Sequence, residues 1–439
     1  MKICVLAFGS RGDVQPAVAL SARLAGRGHE VRLVAPMNFA KLAAGRGFDF
    51  VALPLDMTEE LQSEADILFS GGGNPLAFIR WSIKFWRKAI GIVSPSVLEA
   101  GEGVELVVGA GLMDTLGGML AERLGVPCVY AWWVPMLAAR DFFFDIYTIE
   151  NPLPRLPGWL NRGVFQTYDS VLWLATRGAL SRAREDFALG RAGLTPPLRA
   201  ALARGETLLL AYSDELLPRS REWPANVETT GWWTLPDGLG WTPPPELARF
   251  LAEGREPIYV GFGSMTFKDH DETFRAVLGA LDKTGARAIV AAGWGGLQRD
   301  DLPASAFALD EAPHDWLFDR VAAIVHHGGA GTTGAAVRAG KPSIVTPFVV
   351  DQFAWAHTLY ARGIAPEPLP HRKLTADALA AAITTALGDA DMRRRAAKIG
   401  ERVRAEDGVG RAVAVIERVG TQSERRARLS RSSLSSISP

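Results

Sequence analysis

Short apolar runs alternate with amphipathic segments along most of the chain, and this alternation starts twice. The first half opens with the apolar run KICVLAF, a glycine-containing turn, an apolar-periodic segment from Pro16 to about Gly28, and a second run, EVRLVAP. Strand, helix and strand within about 35 residues predict a βαβ unit, which requires a parallel sheet and a right-handed crossover. Further strands are predicted at 48–53, 104–110 and 127–133, with a helix from Asp114 to Leu124.

The pattern restarts at PIYVGFGSM, which begins at residue 257. Helices are predicted from about Asp271 to Thr284 and from about Thr332 to Ala339. Strands are predicted in ARAIVAAGW, near Phe307, in AAIVHHGG and in PSIVTPF. Strands that alternate with helices are typical of doubly wound domains, so the predicted fold class is α/β with two Rossmann-like domains facing a cleft.

Changes in composition place the domain boundaries. We assign residues 1–222 to an N-terminal domain and 246–420 to a C-terminal domain. The last helix of the C-terminal domain is expected to pack back on the N-terminal domain. The segment 223–245 is rich in Pro, Gly and Trp and predicts an ordered linker, since free linkers rarely hold this many Trp. Residues 421–439 contain seven Ser and four Arg and are predicted to be disordered.

Composition narrows the classes of function. The chain of 439 residues is 48% hydrophobic and 22% charged, as in soluble globular proteins. Basic and acidic residues both number 48, which argues against nucleic acid as a partner because nucleic-acid binders carry a basic excess. Two cysteines cannot form a disulfide framework or a four-ligand zinc site, so Cys4 and Cys128 are expected to be small buried residues.

The N-terminal segment MKICVLAFGSRGD has a single Lys before its apolar run and no cleavage-site pattern. It therefore predicts a first strand rather than a signal peptide. No run approaches the roughly 18 apolar residues that a membrane span needs. From these features we expect a cytoplasmic protein.

Ligands of doubly wound folds bind at the loops that follow the strands. After the first strand comes GSRGDVQP, in which Asp13 precedes the predicted helix. Asp13 is either the N-cap of that helix or an acid that faces the cleft and accepts a proton from a substrate hydroxyl. The loop lacks the third Gly of the dinucleotide fingerprint G-x-G-x-x-G.

The segment VHHGGAGTTGA carries the strongest signal for an anion site. A strand ends at His326 and His327, a Gly-rich turn follows, and a helix begins near Thr332. Backbone N–H groups at a helix start bind phosphate, and a His placed before them can donate a further hydrogen bond. Consecutive strand residues point to opposite faces, so one of the two His is predicted to lie in the core and a metal site there is disfavoured.

Two more strand ends add polar groups. Gly263 and Ser264 follow one strand and suggest a second phosphate contact. Asp351 and Gln352 follow another, and an adjacent carboxylate and amide suit a polyol because sugar hydroxyls both donate and accept hydrogen bonds. Together these loops suggest a nucleotide-sugar site.

The motifs GSRGDVQP, ETTGWW, APHDWLF and HHGGAGTTGAAVRAGKPSIVTPFVVDQFAWA resemble a known family. They are similar to the inverting GT-B glycosyltransferases that use UDP- or TDP-sugars, and most similar to the branch of sterol 3-β-glucosyltransferases and antibiotic glycosyltransferases. The resemblance covers residues 1 to 418. It implies that the C-terminal domain binds the nucleotide sugar and the N-terminal domain binds the acceptor.

The resemblance also implies site residues. Asp13 matches the catalytic base. In the donor site, His327 matches the phosphate-contacting His, while Asp351 and Gln352 match the pair that holds the sugar hydroxyls. Diphosphate-side positions are matched by Ser264, Gly331 and Thr332, and Ser10 and Gly329 are further predicted donor-binding residues.

The chain departs from the plant members of the family at several positions. Glu311 stands where plant enzymes stack a Trp on uracil, so we assign Trp294 as the substitute and His314 and the backbone of Ala312 as base-edge contacts. Plant enzymes hold the ribose with a Glu at the position of Ala335, which leaves the ribose contact unassigned. The Asp that supports their catalytic His falls near Ala110; the neighbouring Asp114 is expected to be a helix N-cap.

The predicted function is inverting transfer of a sugar, glucose from UDP-glucose, to a hydroxyl of a hydrophobic acceptor such as a sterol or polyketide. UDP-sugar is a co-substrate and UDP a product, with no cofactor and no metal. Trp132, Phe142, Phe143 and Phe144 are the predicted acceptor contacts, because consecutive loop aromatics are hard to bury together. Two alternatives remain: a UDP-sugar 2-epimerase and a non-catalytic glycosyltransferase-like auxiliary protein.

The segment IRWSIKFWRKAI mixes four basic residues with aromatic ones. It predicts either an ordinary amphipathic helix packed on the domain, or a helix that covers the acceptor pocket or contacts a membrane surface peripherally.

Overall fold

The computed structural model describes residues 1–55, 75–141, 157–238, 240–263, 270–291, 302–349 and 351–435. Within these ranges the chain forms two parallel sheets, each with helices on both faces. Their strands are apolar runs buried on both sides, as parallel sheets require. The predicted α/β fold with two doubly wound domains is confirmed.

The first sheet has seven strands in the order β3-β2-β1-β4-β5-β6-β7, every neighbouring pair parallel. The strands are β1 Lys2–Leu6, β2 Glu30–Pro36, β3 Asp49–Leu53, β4 Leu106–Ala110, β5 Cys128–Trp132, β6 Thr207–Leu210 and β7 Val227–Thr229. The helices of this half are α1 Arg11–Gly26, α2 Ala40–Ala43, α3 Pro75–Ala100, α4 Asp114–Leu124, α5 Gly158–Asp186 and α6 Pro197–Ala203.

The second sheet has five strands in the order β10-β9-β8-β11-β12, again all parallel. The strands are β8 Ile258–Gly261, β9 Ala288–Ala291, β10 Ala306–Leu309, β11 Ile324–His326 and β12 Ser343–Val345. The helices are α7 Pro245–Ala252, α8 His270–Thr284, α9 His314–Leu317, α10 Ala330–Ala339, α11 Asp351–Ala361, α12 Ala376–Gly388, α13 Ala390–Arg404 and α14 Gly408–Ser435.

The strand orders place the candidate loops. In the first sheet the order reverses between β1 and β4, and in the second between β8 and β11. Ligands of open α/β sheets bind at such a switch point, at the carboxyl ends of the strands. The loop with Asp13 follows β1, and the loop with His327 follows β11, so each sheet presents one candidate loop at its switch point.

Alternation along the strands divides the N-terminal core between two faces. Cys4, Leu6 and Phe8 pack on one face with α3, α4 and α5, while Ile3 and Val5 pack on the other with α1 and α14. Helix α14 begins in the C-terminal half and contributes buried residues to this second face, including Ile416. The last helix therefore packs back on the N-terminal domain.

The linker segment ties the domains together through two consecutive tryptophans. Trp232 packs with Trp355 of α11, with ring centroids 6.1 Å apart, whereas Trp233 packs with Trp133 of the N-terminal domain at 5.4 Å. Gly334 of α10 has no side chain because a Cβ there would lie 2.6 Å from Trp232 Nε1. The linker is ordered, and its two tryptophans pack on different domains, Trp233 on the N-terminal one and Trp232 on the C-terminal one.

Three boundaries differ from the prediction. Residues Val227–Thr229, inside the segment assigned as linker, form β7 at the edge of the first sheet. The segment from Thr421, predicted to be disordered, continues α14 as far as Ser435. The first helix begins at Arg11 rather than near Pro16, because Ser10 supplies the N-cap and Pro16 lies inside the helix.

Candidate active site

Asp13 lies in the first turn of α1, directly after the loop that follows β1. The Asp13 Oδ2 atom accepts hydrogen bonds from the Ser10 backbone N–H at 2.8 Å and from Ser10 Oγ at 3.0 Å. Gly9 has φ of +138°, and a Cβ there would collide with the Asp13 carboxylate. Ser10, rather than Asp13, is thus the N-cap, and Asp13 is the N3 residue of a capping box, whose carboxylate accepts the backbone N–H of the N-cap.

The Asp13 carboxyl is partly buried, and its environment favours the protonated form. Burial raises its pKa, and the hydrogen bonds from Ser10, with the nearby indole N–H of Trp133, lower it in part. A carboxyl whose pKa is raised toward neutrality is a better proton acceptor than a solvated one.

Across the cleft, the loop after β11 separates the two histidines. His326 is fully buried, and its Nδ1 accepts the Gly328 N–H at 3.1 Å, so it is the core histidine that the sequence predicted. His327 lies between two glycines: a Cβ on Gly263 would lie 2.9 Å from its ring, and one on Gly329 would collide with it. Burial lowers the pKa of His327 to about 4, so it is neutral near pH 7.

Helix α10 begins directly after His327, with Gly329 as N-cap and Gly331 and Thr332 in its first turn. The first intrahelical bond runs from Thr333 N–H to the Gly329 carbonyl, so the N–H groups of residues 330–332 precede it. A Cβ on Gly331 would lie 3.8 Å from the Gly12 Cα of α1. The two helix starts thus face each other across the cleft at close approach.

Asp351 and Gln352 begin α11 and differ in environment. Burial, with a contribution from the charge of Asp13, raises the pKa of Asp351 to about 7. The two carboxyls therefore share one cleft. Gln352 is buried, and its Oε1 accepts the backbone N–H groups of Phe348 and Val349 at 2.8 and 3.2 Å. The Gln352 oxygen thus orders the preceding loop.

The predicted base-edge residues lie at the cleft mouth. His314 starts α9, where its ring stacks on Phe318 with centroids 4.4 Å apart. Burial and, to a lesser degree, the positive charge of Arg11 lower the pKa of His314 to about 4. Ala312 lies partly buried two residues earlier, next to Glu311, whose carboxylate forms an ion pair with Arg11 across the cleft.

On the acceptor side, Trp132 lies at the end of β5 and is partly buried. Its indole Nε1 donates to Asp114 Oδ2 at 3.1 Å, and Thr115 Oγ1 donates to Asp114 Oδ1 at 2.8 Å. Asp114 is the first residue of α4 after the N-cap Met113, so the expected capping role was wrong. Burial raises the pKa of this carboxyl to about 6.

Five predicted site residues lie outside the described residues: Ser264, Trp294, Phe142, Phe143 and Phe144.

Sequence reasoning missed the contacts that cross between the halves. Trp133 and Trp233 back the Asp13 loop, Arg11 pairs with Glu311, and Asp237 of the linker accepts from Gln15 at 3.2 Å and from Arg46 at 2.7 Å. These pairs are separated by 100 to 300 residues, so no local pattern reveals them.

A cavity of about 850 Å³ lies outside the cleft, in the N-terminal domain. It runs along α4 from Asp114, past Trp173 of α5, to Arg426 of α14. Neither Asp13 nor His327 lines it, so it is separate from the carboxyl-rich cleft.

The described residues contain neither a helix suited to cross a membrane nor a cluster suited to hold a metal ion. None of the helices there combines the length and apolar character that crossing a membrane requires. No group of three or more His, Cys, Asp or Glu there is arranged to hold a metal ion.

Family models match both halves of the chain. The model described as the glycosyltransferase family 28 N-terminal domain matches residues 3–142. The model described as the erythromycin biosynthesis protein CIII-like C-terminal domain matches residues 276–414. The two matches contain Asp13 and the segment from His327 to Gln352, respectively.

Curated relatives cover almost the whole chain. It is 30% identical over 432 residues to a sterol 3-beta-glucosyltransferase of Emericella nidulans, covering 95% of this chain and 30% of that protein. The chain thus spans about a third of the length of this fungal relative. It is also 30% identical over 440 residues to the sterol 3-beta-glucosyltransferase UGT80B1 of Arabidopsis thaliana, covering 95% of this chain and 68% of that protein.

Solved structures share the fold at lower identity. The glycosyltransferase VinC, crystallised in complex with DTDP, matches with a TM-score of 0.69 and 18% identity over 96% of this chain and all of that one. The calicheamicin glycosyltransferase CalG4 matches with a TM-score of 0.65 and 20% identity over 96% of this chain and 98% of that one. With its sheet order, its motifs and a plant relative of which it covers two thirds, the chain belongs to the GT-B UDP-glycosyltransferase superfamily, in the branch of the sterol 3-beta-glucosyltransferases and antibiotic glycosyltransferases.

Proposed function

We propose that the protein is an inverting glycosyltransferase that moves glucose from UDP-glucose to a hydroxyl of a hydrophobic acceptor, such as a sterol or another natural product. The observation that carries this proposal is the meeting of the two switch points: Asp13 at the start of α1 faces the start of α10, with His327 and Asp351 beside it. One side offers a base, and the other offers donors for a diphosphate.

Asp13 is the general base of the proposed reaction. The acceptor oxygen attacks the anomeric carbon, Asp13 takes the hydroxyl proton, and the bond to the diphosphate breaks on the opposite face. The anomeric configuration is inverted in this single displacement. Proton transfer by a positioned base contributes on the order of 10²–10⁴-fold.

The start of α10 and His327 stabilise the departing diphosphate. The N–H groups of the first helical turn point at the anion, and the helix dipole favours negative charge there. His327 is neutral, so it serves as an N–H donor rather than as a cation, and its buried Nδ1 has no partner among the described residues. The proposed reaction uses no metal and no other cofactor.

Asp351 holds the sugar hydroxyls in this proposal. Its raised pKa results from burial and from the negative charge of Asp13, and hydroxyl donors from a bound sugar replace the water that burial removes. Gln352 supports the same loop through its Oε1 contacts.

Aromatic side chains near the end of β1 favour a hydrophobic acceptor. Phe8 and Phe85 lie with ring centroids 5.4 Å apart, and Phe85 contacts Trp81 at 5.2 Å and Trp86 at 5.3 Å. Trp86, in this group, and Trp132, elsewhere on the same face of the sheet, are partly exposed. Apolar walls with few polar groups are typical of sites for lipophilic small molecules.

We also propose that the N-terminal domain meets an anionic membrane surface from which a lipophilic acceptor is taken. On helix α5, Val171 is 46% exposed and Leu174 is 55% exposed. Helix α3 packs against α5 and carries exposed basic residues, among them Arg80 and Arg87. Apolar side chains beside cations suit an interface of acidic lipids.

Co-sedimentation with vesicles tests the membrane contact. The protein is expected to bind phosphatidylcholine vesicles that contain phosphatidylglycerol, and Val171→Glu with Leu174→Glu is expected to lower that binding several-fold. Tyr360→Glu, at an exposed position of α11 in the other domain, is the matched control. Equal binding by all three proteins, or no binding to acidic vesicles, contradicts the contact.

A donor-by-acceptor screen by mass spectrometry tests the function. UDP- and TDP-sugars are offered against sterols, flavonoids and macrolides, and a mass gain of one hexose on a lipophilic alcohol with UDP-glucose is expected. His327→Ala is expected to lower the yield with every donor. A screen in which no acceptor gains a sugar, while the protein hydrolyses no donor, contradicts the proposed activity.

A further inference from the structure

Two consecutive tryptophans at the end of β5 point to opposite faces of the first sheet. Trp132 packs on the face of α3, α4 and α5, and Trp133 packs on the face of α1. The Trp132 indole donates to Asp114, the acid that begins α4. The Trp133 indole lies against the loop of Asp13, the acid in the first turn of α1. Each indole N–H is thus directed at a carboxyl that follows a neighbouring strand.

Trp133 differs from Trp132 in that its polar atom has no ordinary role. The ring is 6% exposed, and Nε1 is buried without a hydrogen-bond partner among the described residues. A buried donor without an acceptor is costly, and such groups call for an explanation. Nε1 approaches the Asp13 carboxyl closely enough to lower its pKa, although the geometry falls short of a full hydrogen bond.

The linker holds this indole in place. Trp233 packs edge-on against Trp133, at an interplanar angle of 74°, and is itself anchored by a hydrogen bond from its Nε1 to Thr230 Oγ1 at 2.9 Å. Thr230 and Trp233 are both buried. On the other side, Gly111 lies next to the indole, since a Cβ there would be in ordinary contact with Trp133 Nε1, at 3.6 Å.

We propose that Trp133 is a positioning residue for the base: its indole N–H orients the Asp13 carboxylate and favours its ionised form, and Trp233 fixes the indole. This inference rests on the proposed role of Asp13. Ser10 donates two hydrogen bonds to Oδ2, and the Trp133 N–H supplies a further donor, which is buried. A carboxylate held between two sets of donors rotates less and presents one lone pair to the substrate hydroxyl.

The other charged groups around Asp13 stay in place when Trp133 is changed. Asp351 faces it from α11, Arg11 is paired with Glu311 at the cleft mouth, and Arg23 is paired with Asp407 of α14 farther along α1. His314 and His327 each have a pKa of about 4, so both are neutral near pH 7. Trp133 acts on the pKa of Asp13 and is not among the groups that shift the pKa of Asp351, His314 or His327, so a limb moved by Trp133→Phe reports on Asp13.

The test is the pH dependence of kcat/KM for Trp133→Phe, which keeps an aromatic ring and removes the N–H. The acid limb is expected to move up by about one pH unit, because loss of a donor to the ionised form raises a carboxyl pKa. Below the limb the rate falls about tenfold, with the loss in kcat and little change in the acceptor KM. Trp233→Phe, which only loosens the anchor, is expected to shift the limb less in the same direction.

Trp173→Phe is the matched control, because Trp173 is equally buried but donates to the Gly193 carbonyl at the far side of the domain. An unmoved limb in Trp133→Phe, or a loss no larger than that of Trp173→Phe, overturns the positioning role. Asp13→Asn separates this failure from failure of the proposed function. If Asp13→Asn transfers sugar at near the wild-type rate, Asp13 is not the base. If Asp13→Asn is inactive but the acid limb of Trp133→Phe does not move, only the role of Trp133 is contradicted.

Discussion

Two carboxyl groups with raised pKa values share the cleft, and they are stabilised by different means. Burial raises the pKa of both, but two hydrogen bonds from Ser10 offset it in part at Asp13, whereas the charge of Asp13 adds to it at Asp351, whose pKa rises to about 7. Ionisation of Asp351 therefore lowers the stability of the folded state relative to the unfolded chain. Active sites commonly retain such groups at the expense of stability.

Asp351→Asn is expected to stabilise the protein more at pH 8 than at pH 5. The folded-state pKa of Asp351 lies above its ordinary value of 3.8, so between these values the native state binds the proton that the unfolded chain has released. Wild-type stability therefore decreases as pH rises through this window, and Asn removes the decrease. The gain at pH 8 should exceed that at pH 5 by on the order of 1 kcal/mol in urea unfolding.

Asp186→Asn, at the exposed end of α5, is the control for that experiment and should show no such difference. Equal gains for Asp351→Asn at both pH values would contradict the environment described for Asp351.

At the residue scale, the sequence alone predicted the polar site residues that follow strands, but not the residues that pack behind them. Asp13, His327 and Asp351 each lie at the carboxyl end of a predicted strand, so their convergence follows from the parallel sheets. The support from Trp133 could not be predicted, because Trp133 and Asp13 are 120 residues apart and meet only through sheet order. Ser10 is a residue type that favours an N-cap, but the helix was predicted to begin at Pro16, so this local signal was missed.

At the element scale, α10 is the unit that would bind the diphosphate. Its N-cap Gly329 has φ −60° and ψ 145°, and its first turn carries no acidic side chain that would compete with an anion. Three backbone N–H groups precede the first intrahelical bond.

Ala330→Pro removes one of these N–H groups without breaking α10. Proline is tolerated at the first helical position, and the extended Gly329 suits a residue before proline. The donor KM is expected to rise about tenfold or more, the effect of a lost hydrogen bond to a charged group, while the melting temperature changes little.

Ala390→Pro makes the same change at the exposed first residue of α13, away from the cleft, and should leave the donor KM as it is. If Ala330→Pro binds the donor as tightly as Ala390→Pro does, the start of α10 does not hold the diphosphate.

Element boundaries show where pattern reasoning ends. The strands next to the switch points were predicted because they are continuous apolar runs. The edge strand β7 has only three residues, Val227–Thr229, among Pro and polar residues, and pairs with β6 through the tertiary fold. The polar end of α14 has no apolar periodicity of its own beyond Leu429, so composition favoured disorder there.

At the scale of the whole molecule, the linker connects the two halves of the chemistry. Trp233 supports the Asp13 side through Trp133, while Trp232 packs against Gly334 of α10 and Trp355 of α11. Arg11 and Glu311 close the cleft mouth by an ion pair between the domains. Because both side chains of that pair are largely exposed, it contributes little to stability and can open for the donor.

The central claim is that this cleft transfers a sugar with inversion and that Asp13 is the base. The most direct measurement is proton NMR of the product formed from UDP-glucose, whose glucose is α-linked, and a sterol, with wild-type protein and with Asp13→Asn. We expect a β-linked glucoside from the wild type and a rate lower by about 10²–10⁴-fold for Asp13→Asn. An α-linked product, or transfer by Asp13→Asn at near the wild-type rate, would contradict the account.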